Sequence, residues 1–258
     1  MKKSLALTFF CLLFIMSSNY AQENMKPEDT EYYTPVPKII TSGKTYGLPP
    51  SDAIILFDGK SLSKWVSAND YSKPADWKVE NGIVTVNKQF GSIQTAESFL
   101  DYQLHIEWRI PSDIQGKGQG RGNSGLFLGS AGKGDDGYEL QILDSYNNTT
   151  YVNGQAGSVY KQYAPLVNAN RPPGVWQTYD VIWTAPRFND DGSLKSAARV
   201  TAVFNGVLIQ NNVELKGPTK YIGKPSWAVA HGPSPIKLQA HGDDSKPISF
   251  RNIWLRKL

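Results

Sequence analysis

The chain has one cysteine, Cys11, in 258 residues. Cys11 falls within the leader described below, so the mature chain forms no internal disulfide and has to be held by its core. Thr8-Phe9-Phe10 before it is a poor context for lipoprotein cleavage. Helical periodicity of any length is missing, which argues against a helical bundle. No internal repeat at a fixed period appears, which argues against a solenoid or propeller. Past the leader, no apolar run is long enough to span a bilayer. A dense stripe of Lys and Arg is absent too. The formal charge is +4, and removal of Lys2 and Lys3 leaves 25 basic against 23 acidic residues, a net +2. Nucleic acid and anionic membrane are therefore poor partners. Several catalytic signatures are also lacking. There is no Gly-x-Ser-x-Gly and no phosphate loop. His105, His231 and His241 show no His-x-x-x-His zinc spacing.

The N-terminus is distinctive. Lys2 and Lys3 precede an apolar run from Leu5 to Met16 broken only by Thr8, and Ser17 to Ala21 form a small, polar exit. This layout predicts a secretory signal peptide over 1–21, cleaved after Ala21, and a periplasmic or secreted protein. Residues 22–52 hold Pro35, Pro37, Pro49 and Pro50 and read as an extended arm. From residue 53 to 258 short apolar runs alternate with Gly, Asn and Pro, the signature of a single all-β domain.

Strands are expected at 54–57, 77–79, 83–86, 92–95, 102–110, 125–128, 138–143, 158–160, 177–184, 199–204, 207–210, 237–240 and 248–255. Asn81-Gly82 and Asn205-Gly206 mark tight hairpins, because these residues adopt positive φ cheaply. So many strands around one core predict two stacked antiparallel sheets, a jelly-roll sandwich with a groove on one polar face.

Alternation sorts side chains between the two faces of a strand. Leu140 and Ile142 point to the core and Glu139 and Gln141 away from it. Leu104, Ile106 and Trp108 oppose His105, Glu107 and Arg109. Lys237, Gln239 and His241 form a third polar set. Ordinary wet sheet faces also alternate, but acids, amides, His and Arg are functional types. Gly-rich loops at 116–125 and 129–137 adjoin them and leave room for a ligand to approach backbone. Seven Trp and thirteen Tyr suit sugar binding, since a pyranose offers an apolar face to an aromatic ring, although most serve packing. Gly134-Asp135-Asp136-Gly137 and Asp190-Asp191-Gly192 read as acidic turns before they read as calcium sites.

Glu139-Leu-Gln141-Ile-Leu-Asp144 is similar to the Glu-x-Asp-x-x-Glu of retaining jelly-roll β-glucanases, in which the first acid is the nucleophile and the last the acid/base on a bulged strand. Here the middle Asp is Gln141 and the last Glu is Asp144, which implies a shared scaffold and different chemistry.

Taken together, Ile55-Leu-Phe-Asp-Gly-Lys-Ser-Leu-Ser-Lys-Trp65, Glu107-Trp-Arg-Ile-Pro111, Asn123-Ser-Gly-Leu-Phe127, Gly137-Tyr-Glu-Leu-Gln-Ile-Leu-Asp144, Pro173-Gly-Val-Trp-Gln-Thr-Tyr-Asp180, Leu238-Gln-Ala-His-Gly242 and Phe250-Arg-Asn-Ile-Trp254 resemble the 3-keto-disaccharide hydrolase family, from about Ala53 to the C-terminus. The resemblance implies a concanavalin-like jelly roll and cleavage of glycosides already oxidised to a ketone at C3. A base then removes the C2 hydrogen, the enolate expels the C1 substituent, and water can add to the enone. Carried onto this chain, Glu139 and His241 become the acid/base pair, with the base unassigned between them. Arg109, Gln141 and Gln239 become candidates for holding the enolate or sugar hydroxyls. Glu107, Asn123, Asp144, Lys161 and His231 follow as further pocket residues, with a Glu107–Arg109 salt bridge as the plain alternative. A divalent metal on the face of Glu139, Gln141 and His241 is left open by the spacing and not required by it. The implied partners are a glycoside or oligosaccharide substrate and an oxidoreductase that makes the 3-keto sugar. A carbohydrate-binding module and an ordinary glycoside hydrolase are the competing readings.

Overall fold

The computed structural model describes residues 25–132, 134 and 136–258, so the expected leader at 1–21 lies outside the described residues. Contacts divide the chain into two units, Met1–Ile39 and Ile40–Leu258. In the first unit a 3-10 turn runs over Pro27–Thr30, with Pro27 at its first position and the Lys26 N–H donating to Asp29 Oδ2 at 3.0 Å.

The second unit is built almost wholly from strands: β1 (Ile54–Phe57), β2 (Trp65–Ser67), β3 (Lys78–Glu80), β4 (Ile83–Thr85), β5 (Ile93–Thr95), β6 (Tyr102–Arg109), β7 (Ser124–Ser130), β8 (Gly137–Ile142), β9 (Gln177–Thr184), β10 (Arg187–Phe188), β11 (Leu194–Ser196), β12 (Arg199–Phe204), β13 (Val207–Glu214), β14 (Lys237–Leu238) and β15 (Ser249–Lys257). One sheet has the order β13-β12-β9-β6-β15-β4-β3, with β1 also on β15, and the second has the order β2-β5-β14-β7-β8. β10 and β11 make a separate ribbon. The strand pairs are antiparallel, and the two sheets enclose a shared apolar core in a jelly-roll sandwich. No helix among the described residues is long and apolar enough to cross a membrane.

The hairpin signals act as expected. Asn81 and Gly82 take φ of 52° and 78°, Asn205 and Gly206 take 52° and 85°, and each pair closes a two-residue turn. The run 158–160 is not a strand. Val159 makes only isolated bridges to Leu140 and Tyr163, because the Gly157 turn brings this segment in as a loop along the β8 edge. β2 and the β10–β11 ribbon have no counterpart among the expected strands.

Residues 40–52 lie with the sandwich. The Gly47 carbonyl accepts from Asn252 Nδ2 at 2.8 Å and from Trp254 Nε1 at 2.9 Å. The core is aromatic: Trp108 lies 5.5 Å from Tyr179 and 5.6 Å from Phe204 between ring centroids. Leu140, Leu126, Leu238 and Ile93 sit opposite one another across β8, β7, β14 and β5, all fully buried. That row fixes the pleat of the five-stranded sheet, and so sends the intervening residues to its outer face.

Candidate active site

The residues sent outward form the floor of the site. Glu139 pairs across to Phe127 and Gln141 to Gly125, and the Gln239 N–H donates to the Gly125 carbonyl at 2.9 Å. Gly125 lies flat between two glutamines for a steric reason: a Cβ there would stand 2.6 Å from Glu139 Oε1. Loops wall this floor. The Tyr160 N–H donates to the Glu139 carbonyl at 3.1 Å, and Thr219 Oγ1 accepts from the Glu139 N–H at 3.1 Å. The result is a cleft of about 730 Å³. Loop cover explains why Glu139 and Gln239 are buried on an outer sheet face, each only 6% exposed.

Of the residues expected from sequence, Glu139, His241, Gln141, Gln239, Asn123 and Lys161 all line this cleft. The His241 ring is positioned at both nitrogens. Nδ1 lies 2.9 Å from Asp243 Oδ2, and Nε2 lies 3.4 Å from Asn123 Nδ2. The Asp243 side chain is itself buried. Burial works to raise its carboxyl, but the bonds from His241 and Ser245 and the charge of Lys88 outweigh this and hold it far below the ordinary range. It is therefore an anion, and at 2.9 Å it outweighs the Asp243 N–H that also faces Nδ1 at 3.2 Å, favouring the tautomer with its proton on Nδ1 and Nε2 as an acceptor.

The Gln141 amide is ringed by four oxygens. Gln119 Oε1 at 3.1 Å and Asn123 Oδ1 at 3.3 Å lie at one end, and Glu139 Oε1 and the Ser124 carbonyl, both at 2.9 Å, at the other. Gln119 and Asn123 are anchored with their oxygens toward Gln141, since Gln119 Nε2 donates to the Gly154 carbonyl and Asn123 Nδ2 to the Gln119 carbonyl, each at 2.8 Å. An amide has N–H groups at one end only. Whichever way Gln141 is turned, its carbonyl faces two of these oxygens.

A second wall is aromatic and cationic. Tyr151 and Tyr160 join hydroxyls at 2.5 Å, and burial is the main force pushing both phenols up. Lys161 Nζ sits 4.2 Å from the Tyr221 ring centroid and donates to the Tyr221 carbonyl at 2.6 Å. Lys161 has φ of 58°, and the other non-glycine residues at positive φ among those described are all Asn. A lysine held in this region is strained.

Four expected residues lie elsewhere. Glu107 and Arg109 are on β6, in the other sheet, whose outer face points away from the cleft. Glu107 binds Arg251 Nε at 2.6 Å and Asn252 Nδ2 at 2.8 Å. Burial would raise its carboxyl, but hydrogen bonds from His105, Asn252 and Arg251 bring it down to about 2. Arg109 covers the Trp176 ring at 4.6 Å and makes no Glu107 bridge. Asp144 is fully buried under the floor, 2.8 Å from Arg121 Nε; burial pushes it up, opposed by the Tyr146 N–H and Arg121. His231 binds the Tyr138 hydroxyl at 2.6 Å and Ser234 Oγ at 3.1 Å, outside the cleft.

Sequence reasoning missed Asp243, Gln119, Tyr151, Tyr160 and Tyr221. His241-Gly-Asp243 carried a usable signal, because an Asp two residues on can turn back to a ring nitrogen. The tyrosines lie in loops with no periodicity to read. No group of three or more His, Cys, Asp or Glu among the described residues gathers as a metal cage. No step below runs through the divalent ion that the spacing left open.

The sequence profile of the 3-keto-alpha-glucoside-1,2-lyase-like domain matches residues 52–256. Among solved structures, a protein from Parabacteroides distasonis ATCC 8503, provisionally described as a glycosyl hydrolase, is 50% identical, with 91% of this chain and 97% of that chain covered and a TM-score of 0.83. Another from that organism, under the same description, is 19% identical over 80% of this chain and 94% of its own, with a TM-score of 0.54, and speaks to the fold alone. No curated protein matches. With nearly the whole sandwich inside the profile and half of the residues shared with the first of these structures, the chain belongs to the 3-keto-alpha-glucoside-1,2-lyase-like family.

Proposed function

We propose that the protein cleaves glycosides that carry a ketone at C3 of the sugar, acting outside the cytoplasm after an oxidoreductase has installed that ketone. The observation that carries this reading is the His241–Asp243 pair opening into the same cleft as Glu139. The C3 ketone acidifies C2–H. His241 Nε2 takes that proton, and the C–H electron pair becomes the enolate. The enolate re-forms the ketone as C1=C2 forms and the C1–O bond breaks. The departing oxygen takes a proton from Glu139. Water then adds its oxygen to C1 and a proton to C2.

The ring of oxygens around Gln141 supports the acid role of Glu139. With the Gln141 N–H groups toward Gln119 and Asn123, a proton on Glu139 Oε1 gives the Gln141 carbonyl a donor at 2.9 Å. Tyr151, Tyr160 and Lys161 are the donors on the cleft wall for the enolate oxygen, where charge develops in the transition state.

The test is turnover of a 3-keto-glucoside beside its unoxidised parent, with chelator and with added divalent metal. Cleavage of the keto form alone, lost in Glu139→Gln with the fold intact, is expected. Cleavage of both sugars would indicate an ordinary glycosidase, and cleavage of neither a binding module.

A further inference from the structure

His241 and Asp243 sit in the link between β14 and β15, outside either strand. In that link His241 Nδ1 faces two partners. Asp243 Oδ2 lies 2.9 Å away and the Asp243 N–H 3.2 Å away. The two ask opposite things of the ring. A carboxylate oxygen accepts, so Nδ1 carries the proton. An N–H donates, so Nδ1 has to be bare and the proton moves to Nε2. The N–H belongs to the local backbone and stays close whatever the side chain does. The carboxylate has to be held in place.

Lys88 supplies that hold. It stands in the loop between β4 and β5. Its Nζ donates to the Asp243 carbonyl at 2.5 Å and to the Ser245 carbonyl at 2.8 Å, and lies 3.2 Å from Asp243 Oδ1. An ammonium has three N–H groups, and the 243–245 turn offers an acceptor to each. The bonds from Ser245 to Asp243 Oδ1 run within the turn and move with it. Lys88 ties the turn to a separate loop, and the Gly122 N–H, donating to Ser245 Oγ at 3.0 Å, ties it from the other side. Lys88 grips the two carbonyls more closely than the carboxylate, so placing the turn outweighs its effect on the charge of Asp243. Lys88 does not line the cleft and touches no substrate there.

We propose that Lys88 is a positioning residue for the His241 base of the reaction proposed above, a role that depends on that reaction. Its grip keeps the Asp243 carboxylate on Nδ1 and so keeps Nε2 free to take a proton. Without the ammonium the carboxylate drifts, Nδ1 turns to the Asp243 N–H, and the proton acceptor leaves the cleft. Contacts to substrate are untouched, so kcat falls while KM holds.

The experiment starts from Lys88→Met, which keeps the apolar stem. Its loop is closed independently by Asn87 Oδ1, which accepts from the Gln89 and Phe90 N–H groups. On a 3-keto-glucoside, kcat should fall about ten- to a hundredfold, the cost of a misplacement of roughly 1 Å, with KM within about twofold. The 15N signals of the neutral His241 ring, assigned by their loss in His241→Gln, should show the proton on Nδ1 in the parent and on Nε2 in the variant. Rescue uses Lys88→Cys in the chain without its expected leader, which has no other cysteine. Alkylation of the unfolded chain with 2-bromoethylamine before refolding returns an ammonium at nearly the same reach, and 1-iodopropane returns the length alone. Only the aminoethyl adduct should regain turnover and the Nδ1 proton. If kcat stays within about twofold of the parent, or the ring signals are unchanged in Lys88→Met, the proposal is wrong. Should Lys88→Met not fold, an aminoethyl adduct that folds and regains neither turnover nor the Nδ1 proton overturns it equally. Ring signals that shift in a protein whose parent turns over no 3-keto-glucoside would sink the reaction and leave Lys88 as the residue that sets the His241 tautomer.

Discussion

Asp243→Asn is the sharpest probe of the base. The substitution keeps the shape of the side chain and removes its charge, and the structure says how the new amide must turn. Asp243 Oδ1 accepts from the Ser245 N–H at 2.8 Å and from Ser245 Oγ, and faces Lys88 Nζ at 3.2 Å. These donors hold the amide oxygen at the Oδ1 position. The new NH2 group then falls at the Oδ2 position, 2.9 Å from His241 Nδ1. Nδ1 has to accept, so the imidazole proton moves to Nε2, where it also meets the Asn123 amide. The proton acceptor disappears from the cleft without any change of shape. Positioned general bases contribute about 10²–10⁴ in rate, so kcat/KM should fall by that factor, roughly 3–5 kcal/mol of barrier. Loss of the charged hydrogen bonds costs about 1–3 kcal/mol, or a Tm lower by roughly 3–10 °C for a domain of this size. The assay is release of aglycone from a 3-keto-glucoside across pH, beside a melting curve. A variant that folds, and whose kcat/KM stays within about threefold of the parent with the same pH profile, would refute His241 Nε2 as the base.

Two further predictions concern charge away from that pair. His105 is stacked on Trp254 and lies 2.7 Å from Asp180; burial lowers its pKa, but the Asp180 and Glu107 carboxylates outweigh this and raise it to about 9. The unfolded ring loses its proton near 6.5, so the folded state binds more protons between there and 9. This stabilisation is complete below pH 6.5 and falls away as pH rises through 9, by at most about 3 kcal/mol; equal slopes of Tm against pH for the parent and His105→Gln would rule it out. Lys161→Asn keeps a residue that tolerates φ of 58° and removes the ammonium. Melting should stay level or rise slightly while turnover falls at least about tenfold; turnover that stays level would make Lys161 only a latch on Tyr221.

Most of the fold was legible because the core strands alternate cleanly. The expected limits of β1, β9 and β12 match those observed, and the two Asn-Gly turns stand where expected. β2 was missed because it spans only Trp65–Ser67, too short for a period, and β10–β11 because strands of two and three residues show none. Alternation was less informative about the site. It separates core-facing from outward-facing residues, but not one sheet from the other. Glu107 and Arg109 follow the same pattern as Glu139 and Gln141, yet the outer faces of the two sheets in a sandwich look in opposite directions. Strand pairing decides the matter: β6 neighbours β9 and β15, while β8 pairs with β7, which in turn pairs with β14.

The glucanase-like spacing in β8 shows how register reaches into chemistry. A retaining glycosidase needs two carboxyls about 5 Å apart, and a strand can present residues 139 and 144 on one face only if a bulge reverses the parity between them. β8 has no such bulge: Glu139, Leu140, Gln141 and Ile142 pair in unbroken register with Phe127, Leu126, Gly125 and Ser124, and the shift in this pair falls before Glu139. The strand then ends at Ile142, and Asp144, two residues beyond it, is buried completely and matched with Arg121. The cleft has one carboxyl on its floor strand, and its partner comes from the end of another segment as an imidazole with its own carboxylate. An oxocarbenium route has no second flanking carboxyl on β8 to use. An elimination asks for one base at C2 and one acid at the leaving oxygen, and the imidazole of His241 and the carboxyl of Glu139 open into the same cleft.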